Sequence, residues 1–302
     1  MSDTSTQRAL NRVESTVLHE HEWEHLYQRE KLENGLTILV PNWNHRSYLP
    51  RSLRSCLKSL EHLEASGFSG EIIVVDDASR DGSQKFLRSV QLLYAEPRLR
   101  TLFLPRNLGL PRVRNLGMRM SKYRYVCLMD ADNELVPANL PLFLTSIMDT
   151  GAAVVHGNLI DTSEGRILGF RSGRVAAMRL TVGNNVDAFT VVDASKLLRA
   201  GGFQSDPRLY AYEDWEMILH LIYEEEKVVF VPAVMGYYYR NPGSMLEETL
   251  DTQGTEETEV GSAQHSLQTV SLVRRMFAQS GTREWDPTRV GYIYHPAVGY
   301  IE

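Results

Sequence analysis

Hydrophobic and polar positions alternate along the middle of the chain in a way that predicts strands followed by helices. From Leu36 to about Val231, short apolar runs are separated by longer amphipathic stretches. The first run, Leu36–Val40, precedes a stretch, Leu49–Ala65, in which apolar residues recur at helical spacing. This pattern is typical of βαβ units, and it predicts an α/β fold with a Rossmann-like, mostly parallel central sheet flanked by helices.

The same alternation predicts the later elements. Further strands are expected over residues 71–75, 100–104, 125–129, 152–156, 228–231 and 235–239, and helices over residues 82–94, 111–120, 137–150 and 213–223. Two segments lack the periodicity. Residues 157–185 are rich in Gly, Asn and Arg, and residues 243–263 are acidic and rich in Ser, Thr and Gly, which is typical of a linker.

Changes in this pattern set the predicted domain limits. The polar residues 1–34 predict an N-terminal helical extension, and residues 35–245 form the predicted α/β domain, with halves at 35–135 and 136–245. Residues 246–302 are expected to form the linker and a C-terminal helical tail, with an amphipathic helix near residues 266–277.

Composition narrows the functional classes. The chain has 32 Lys and Arg and 38 Asp and Glu, which gives a net charge of −6. It lacks the excess of basic residues that is typical of nucleic-acid-binding proteins, so no nucleic-acid partner is expected. Two cysteines, Cys56 and Cys127, are too few for a disulfide scaffold or a Cys-based zinc site. No apolar run reaches the roughly 18 residues of a membrane span, and the N-terminus lacks a signal-peptide core, so a cytoplasmic protein is expected.

Polar side chains follow the predicted strands, where the ligand site of an open α/β sheet lies. They are Asn42 and Asn44 after the first strand, Asp76 and Asp77 after the second, and Asp130-Ala131-Asp132 after a later one. If Asp130 and Asp132 continue the strand, their side chains share a face and can hold Mg²⁺ or Mn²⁺. The alternative for each motif is a solvated turn, which Asp and Asn also favour.

The ordered set of motifs resembles the family 2 glycosyltransferases, which are inverting nucleotide-sugar enzymes of the GT-A fold. The matching segments span about residues 36–245: ILVPNWNHRSYLPRSLRSCLKSL, IIVVDDASRDGS, NLGLPRVRNLGM, YVCLMDADNELVP, GGF, LYAYEDWEMILHL and YYYRNPGSM. The resemblance implies a nucleotide-binding half at 35–135 and an acceptor-binding half at 136–245. Any one segment is a weak signal, whereas their order along the chain is specific.

The resemblance also implies roles in binding the donor. Asp77 would accept hydrogen bonds from the nucleotide base, in a pocket lined by Pro41, Asn42 and Asn44. The motif Asp130-Ala131-Asp132 would contact the ribose and hold the cation, with Asp132 as the direct metal ligand. Arg114 is a candidate for the nucleotide or its phosphates, and packing on its helix is the alternative.

Asp214 matches the family's catalytic base, which removes the proton of the acceptor hydroxyl during in-line attack. A carboxylate at a helix N-terminus also interacts favourably with the helix dipole, so a role in capping the helix is the alternative for Asp214. Glu213, Trp215 and Asp187 are candidate acceptor contacts, and a turn is the alternative for Asp187. The segment 157–185 is expected to form part of the acceptor wall, and its arginines would suit a phosphorylated or acidic acceptor.

The expected reaction is therefore metal-dependent transfer of a single sugar, with inversion, from a UDP-sugar to an unknown acceptor hydroxyl. GDP and dTDP donors remain alternatives. Asn241 occupies a position where the family often has His, so water is expected to complete the metal shell. The Q-x-x-R-W segment of processive synthases is absent. A sugar nucleotidyltransferase and a catalytically degenerate binding module are the alternative functions.

Two terminal motifs have other interpretations. His21-Glu22-Trp23-Glu24-His25 matches the zinc-peptidase pattern H-E-x-x-H, but no extension of that motif follows, and a solvated or partner-packed helix is favoured. Arg274 and Arg275 lie on the amphipathic C-terminal helix, which would contact anionic lipid peripherally or, as we favour, pack on the core or on a second subunit of a homodimer.

Overall fold

Segments rich in Val, Ile and Leu form a parallel sheet in the first part of the chain. Most residues of these strands are buried on both faces, as is usual for parallel sheets. In the computed structural model, residues 31–94, 96–171, 184–206, 209, 212–241 and 290–301 are described. The four strands are β1 (Leu32–Asn42), β2 (Ser69–Asp76), β3 (Leu99–Phe103) and β4 (Tyr123–Leu128). They lie in the order β4-β1-β2-β3, all parallel, with Asn42 opposite Asp76 at the carboxyl ends of β1 and β2.

Amphipathic segments between these strands form the helices α1 (Leu49–Ala65), α2 (Ser83–Tyr94) and α3 (Leu110–Met120), and a two-residue strand β5 (Glu134–Leu135) follows. The helices α1 and α3 each carry a proline in the first turn, where the missing N–H is not needed. Helix α1 buries Leu53, Cys56, Leu60 and Leu63 along one face, which packs against β2. By its internal contacts, the chain divides into two compact units, residues 1–137 and 138–302.

The second unit contains a mixed sheet. A short 3-10 turn (Pro137–Asn139) leads into α4 (Leu140–Thr150), and the later helices are α5 (Ala194–Arg199) and α6 (Glu213–Tyr223). Its strands are β6 (Val154–Ser163), β7 (Arg166–Arg171), β8 (Val191–Asp193), β9 (Val228–Tyr239), β10 (Val290–His295) and β11 (Gly299–Ile301). The pairs β6–β9 and β9–β10 are parallel, whereas β6–β7, β6–β8 and β10–β11 are antiparallel.

The predicted fold class, mixed α/β with a mostly parallel central sheet, is confirmed, and several element predictions are corrected. The predicted extension over residues 1–34 ends too late, since β1 begins at Leu32. The two strands expected over residues 228–239 are one strand, β9. Much of the irregular region expected over residues 157–185 belongs to the hairpin β6–β7. Neither β8 nor α5 was predicted.

The predicted C-terminal helical tail is wrong for residues 290–301, which form β10 and β11. Three tyrosine rings cluster there: the ring centroids of Tyr292 and Tyr294 lie 5.9 Å and 5.2 Å from that of Tyr300. The rest of the N-terminal extension with its H-E-x-x-H motif, the linker and the amphipathic helix near 266–277 lie outside the described residues.

The thiols of Cys56 and Cys127 are both buried, and neither forms a disulfide. Burial raises the pKa of Cys56 to about 12 and also raises that of Cys127, so both thiols stay protonated and serve as small apolar side chains. Within the described part of the chain, no helix combines the length and apolarity that a membrane crossing requires.

Candidate active site

The carboxyl ends of three neighbouring parallel strands bring the first predicted site residues to one edge of the sheet. Strand β1 lies between β2 and β4, and its last residue, Asn42, donates from Nδ2 to Asp76 Oδ2 at 2.7 Å. The Asp77 N–H donates to the Asn42 carbonyl at 2.8 Å. Next to them, the Met129 N–H continues the pairing of β4 with β1 by donating to the Leu39 carbonyl at 3.1 Å. The segments that follow these strands therefore start side by side.

Asp76 is a structural carboxylate. It is fully buried and accepts hydrogen bonds from Asn42, from the Ser79 N–H at 3.0 Å and from Gln84 Nε2 at 2.8 Å. These bonds fix the loop after β2 to the end of β1 and to the first turn of α2. The two adjacent aspartates thus differ in role, because Asp77 has other partners.

Asp77 joins the end of β2 to the start of α3. Its Oδ1 accepts from the Leu108 N–H at 2.7 Å and its Oδ2 from the Gly109 N–H at 2.9 Å. Burial raises the pKa of Asp77, the two backbone donors lower it, and the charge of Asp76 raises it further. Each carboxylate oxygen has a second acceptor position, so these bonds leave capacity for a ligand donor.

The loop after β1 is interlocked with the loop after β2. Asn44 has a left-handed φ of 57°, its N–H donates to Ser79 Oγ at 2.9 Å, and its Oδ1 accepts from the Arg80 N–H at 2.8 Å. Pro41 is buried within β1 opposite Val75. Asn42 is also buried, and its Oδ1 has no hydrogen-bond partner in the structure. Pro41 and Asn42 are thus held by pairing of β1 with β2, and Asn44 is held by its hydrogen bonds to the loop after β2.

The segment Asp130–Asn133 is a turn, which corrects the expectation that Asp130 and Asp132 continue the strand. Strand β4 ends at Leu128, and the Asn133 N–H donates to the Asp130 carbonyl at 3.0 Å. Strand alternation therefore does not determine where the two carboxylates point. Ala131, between them, is fully buried.

Two arginines hold this turn. Arg114, on α3, is 3% exposed and donates from Nη2 to Asp130 Oδ1 at 2.9 Å. Arg51, in the first turn of α1, donates from Nη2 to the Asp132 carbonyl at 2.6 Å. The contact of Arg114 fixes one oxygen of Asp130, and its predicted role toward the nucleotide or its phosphates stays a prediction.

The turn has donor chemistry suited to a hard divalent cation. Asp130 and Asp132 are both partly exposed, and carboxylate oxygens are preferred ligands of Mg²⁺ and Mn²⁺. Among the described residues, no cluster of three or more His, Cys, Asp or Glu side chains could hold a metal ion. The residues present fit a cation bound by one or two carboxylates together with substrate phosphates and water, which is the usual form of Mg²⁺ sites.

In the second unit, Asp214 lies in the first turn of α6. Its Oδ1 accepts from the Trp215 N–H at 2.7 Å and from Asn184 Nδ2 at 2.9 Å. The side chain is partly exposed, whereas the preceding Glu213 is buried. Burial raises the pKa of Tyr212, and the nearby charge of Asp214 raises it further.

The other predicted acceptor contacts have structural partners. Trp215 is fully buried and lies 6.0 Å from the Tyr212 ring, which favours a packing role over contact with an acceptor. Asp187 Oδ1 accepts from the Phe189 N–H at 2.9 Å, and Oδ2 lies 3.6 Å from Arg171 Nη1. The first contact is the turn role that the sequence left open for Asp187.

The arginines of the predicted acceptor wall are only partly described. Arg171 belongs to β7 and stacks 4.0 Å over the Tyr238 ring, and Arg166 begins the same strand. Arg174 and Arg179 lie outside the described residues. Sequence reasoning missed Arg51 and Asn184, whose contacts join residues 81 and 30 positions apart and leave no signal in local periodicity.

The sequence of this chain is similar to those of known glycosyltransferases and related enzymes. Residues 37–204, more than half of the chain, match the model of glycosyl transferase family 2. The teichoic acid poly(glycerol phosphate) polymerase of Staphylococcus epidermidis is 23% identical over 203 residues, which are 65% of this chain and 27% of that protein. The chondroitin synthase of Escherichia coli is 32% identical over 155 residues, which are 48% of this chain and 21% of that protein. The chain thus spans about a quarter of the length of these relatives.

Solved structures share the fold. S. aureus TarS residues 1–349, in complex with UDP-GlcNAc, has a TM-score of 0.56 and 16% identity, covering 70% of this chain and 60% of that one. The mannosyltransferase PcManGT from Pyrobaculum calidifontis, in complex with GDP-Man and Mn²⁺, has a TM-score of 0.55 and 14% identity, covering 87% and 82%. With the family model matched over the strands that carry Asp77 and the Asp130–Asp132 turn, the chain belongs to glycosyl transferase family 2.

Proposed function

We propose that this protein transfers a single sugar from a UDP-sugar donor to a hydroxyl group of an acceptor. The configuration of the anomeric carbon is inverted in this reaction. The observation that carries the proposal is the set of polar residues at the carboxyl ends of β1, β2 and β4, which are adjacent and parallel. This edge is where open α/β sheets bind nucleotides. Family membership and the nucleotide-sugar complexes of the similar structures support it.

In this proposal, Asp77 receives hydrogen bonds from the nucleotide base. Its two backbone bonds to Leu108 and Gly109 hold the carboxylate in place before the ligand arrives, which limits the ordering that binding requires. Pro41, Asn42 and Asn44 shape the pocket beside it. The unpartnered Oδ1 of Asn42 can accept a further donor there.

Asp130 and Asp132 would hold Mg²⁺ or Mn²⁺ together with the donor diphosphate. When bound, the cation neutralises the negative charge that grows on the departing nucleotide diphosphate. Arg114 orients Asp130 through Oδ1, and Arg51 fixes the backbone of Asp132. The residues of the turn are thus restrained by groups on two different helices.

Asp214 is the proposed general base. Its carboxylate accepts the proton of the acceptor hydroxyl while the oxygen bonds to the anomeric carbon and the bond from that carbon to the diphosphate breaks. The proton stays on Asp214, and the bonding electrons leave with the nucleotide. Glu213 and Asp187 remain proposed acceptor contacts. The phosphate-containing polymer named for the teichoic acid relative supports an anionic acceptor.

The donor site is tested by calorimetric titration of UDP, GDP and dTDP, each with and without Mn²⁺. We expect UDP to bind only with Mn²⁺, and Asp132→Ala to weaken that binding by at least 10-fold because a metal ligand is lost. Glu33→Ala, which removes an exposed carboxylate paired with Arg124, is the matched control. Failure of all three nucleotides to bind to a folded sample with Mn²⁺ would contradict the proposal.

The base is tested by Asp214→Asn, which keeps the size of the side chain but removes its basicity. We expect nucleotide binding to stay within about twofold, whereas turnover of the donor falls by roughly 10²- to 10⁴-fold, the usual contribution of a general base. The measurement pairs the titration above with release of UDP from a UDP-sugar. Turnover near that of the unaltered protein would show that Asp214 is not the base.

A further inference from the structure

A neutral amide contacts the proposed base. Asn184 precedes β8 and lies 30 positions before Asp214, and its Nδ2 donates to Asp214 Oδ1 at 2.9 Å. The same oxygen accepts the Trp215 N–H at 2.7 Å. Two N–H donors therefore converge on one oxygen of the carboxylate, one from its own helix and one from a separate segment. A carboxylate held by two donors in different directions has a defined orientation.

The segment that carries Asn184 is anchored shortly after this residue. Val186 and Phe189 are 1% and 3% exposed, and the Phe189 N–H donates to Asp187 Oδ1. Asp187 Oδ2 also lies 3.6 Å from Arg171 Nη1, which ties the segment to β7. The buried side chains and the turn fix the backbone within two or three residues of Asn184. Asn184 itself is exposed, and the nearest buried side chain is that of Val186, two positions later.

Carboxylates of its own helix lie close to Asp214 in the sequence. The first turn of α6 carries three carboxylates, Glu213, Asp214 and Glu216, and Tyr212 precedes them. Neighbouring negative charges disfavour ionisation of Asp214, whereas N–H donors to the carboxylate favour it. An arginine or lysine at position 184 would pair with the carboxylate and lower its basicity further than an amide does. An amide stabilises the anion while leaving it a usable base.

We infer that Asn184 is a positioning residue for the glycosyl transfer reaction, holding the carboxylate of Asp214 oriented and ionised so that it can accept the acceptor proton. The inference rests on the proposed role of Asp214 as base. Asn184 itself touches neither the reacting hydroxyl nor the donor in this inference. Its contribution is to the base alone, so its loss should lower kcat and leave the KM of the donor unchanged.

The test measures the titration of Asp214 directly, in the full-length protein labelled with carboxyl-¹³C aspartate. The Asp214 signal is assigned by its disappearance in Asp214→Asn, and its midpoint is followed by NMR across pH 3–8 in the absence of any substrate. In Asn184→Ala we expect the midpoint to rise by about 0.5–1 pH unit, because one donor to the anion is lost. In Asn184→Asp, of equal size, we expect a larger rise, because a negative charge replaces the donor.

Asn139→Ala is the matched control, since it removes an asparagine Nδ2 that donates to the Val234 carbonyl at 2.7 Å in the same unit. It should leave the Asp214 midpoint unchanged even if it lowers the unfolding temperature. An Asp214 midpoint that does not move in either Asn184 variant would overturn the inference.

Turnover separates this inference from the proposed function. If Asp214→Asn abolishes UDP release while the Asn184 variants leave the midpoint in place, the base is correct and the role of Asn184 is wrong. If the midpoint moves but Asp214→Asn retains full turnover, Asp214 is not the base, and the inference fails with the proposed function. If both hold, Asn184→Ala should lower kcat by about 3- to 10-fold at pH values well below the midpoint, with the donor KM unchanged.

Discussion

Arg114 contributes to the aspartate turn as a buried cation that fixes a carboxylate. Its guanidinium is almost inaccessible to water, whereas Asp130 is about one third exposed. Burial of an arginine is costly unless its charge is compensated, so the pair restrains both partners. The exposed part of Asp130 remains accessible to a cation. The structure thus connects α3 with the turn after β4 through the charged hydrogen bond between Arg114 and Asp130.

Replacement of Arg114 by methionine removes this bond while keeping a long, flexible apolar side chain. We expect Mn²⁺-dependent UDP binding to weaken by about 10-fold, because the orientation of Asp130 is lost and a charge-assisted hydrogen bond is worth roughly 1.5–3 kcal/mol. Calorimetry measures the affinity, and circular dichroism verifies folding. Arg124→Met, which removes an exposed pair with Glu33, should leave the affinity unchanged. Equal affinities for both variants would show that Asp130 needs no support from Arg114.

At the scale of elements, helix α3 links the two parts of the proposed donor site. Asp77 accepts the backbone N–H groups of Leu108 and Gly109 just before the helix begins, and Arg114 projects from the second turn to Asp130. The helix lies against β1 at Gly117, where an added Cβ would overlap the side chain of Leu39. The absence of a side chain at Gly117 therefore sets how closely the helix approaches the sheet.

Gly117→Ala tests this close approach. Alanine favours a helix over glycine by about 1 kcal/mol, but overlap with the buried Leu39 costs about 1–3 kcal/mol, so we expect net destabilisation. The measurement is the free energy of unfolding in urea. In a Leu39→Ala background the same substitution should lose its unfavourable effect, since the new methyl group enters the space left by the leucine. Net stabilisation by Gly117→Ala alone would contradict the packing argument.

At the scale of the whole molecule, one buried histidine makes stability depend on pH. His156 lies in β6, is 3% exposed and packs 5.4 Å from the Phe230 ring. Burial lowers its pKa from 6.5 to about 4. The unfolded chain therefore binds a proton at a higher pH than the folded one does. This contribution to stability is complete above about pH 6.5 and is lost as the pH falls from 6.5 towards 4.

His156→Met should reduce that dependence, because methionine is similar in size and does not titrate. Between pH 7.5 and pH 4.5, the free energy of unfolding of the unaltered protein should fall by roughly 2–3 kcal/mol more than that of the variant. Urea unfolding at both pH values provides the comparison. His62→Met, at an exposed position in the last turn of α1, is the control and should follow the unaltered protein. Parallel pH profiles for all three proteins would show that His156 contributes nothing.

Local patterns in the sequence predict the alternation of strands and helices and the positions of the strand-end carboxylates. Apolar runs and amphipathic stretches are local patterns, and they report burial on two faces or on one. They placed β2, α2, α3 and β4 within a few residues of their observed limits. They do not predict β8 or β11, which have three residues each, or β10, whose parallel partner β9 is distant in the chain.

The partner of each polar side chain, in contrast, depends on the packing of segments that are distant in the chain. Asp76 and Asp77 are identical neighbours in sequence, yet one closes the end of β1 and the other receives the N–H groups before α3. The turn at Asp130 and the contacts of Arg51 and Asn184 are likewise set by chain segments far away in sequence. Hydrogen bonds depend on distance and direction within a few tenths of an ångström, and such geometry arises only when the packed elements fix the backbone.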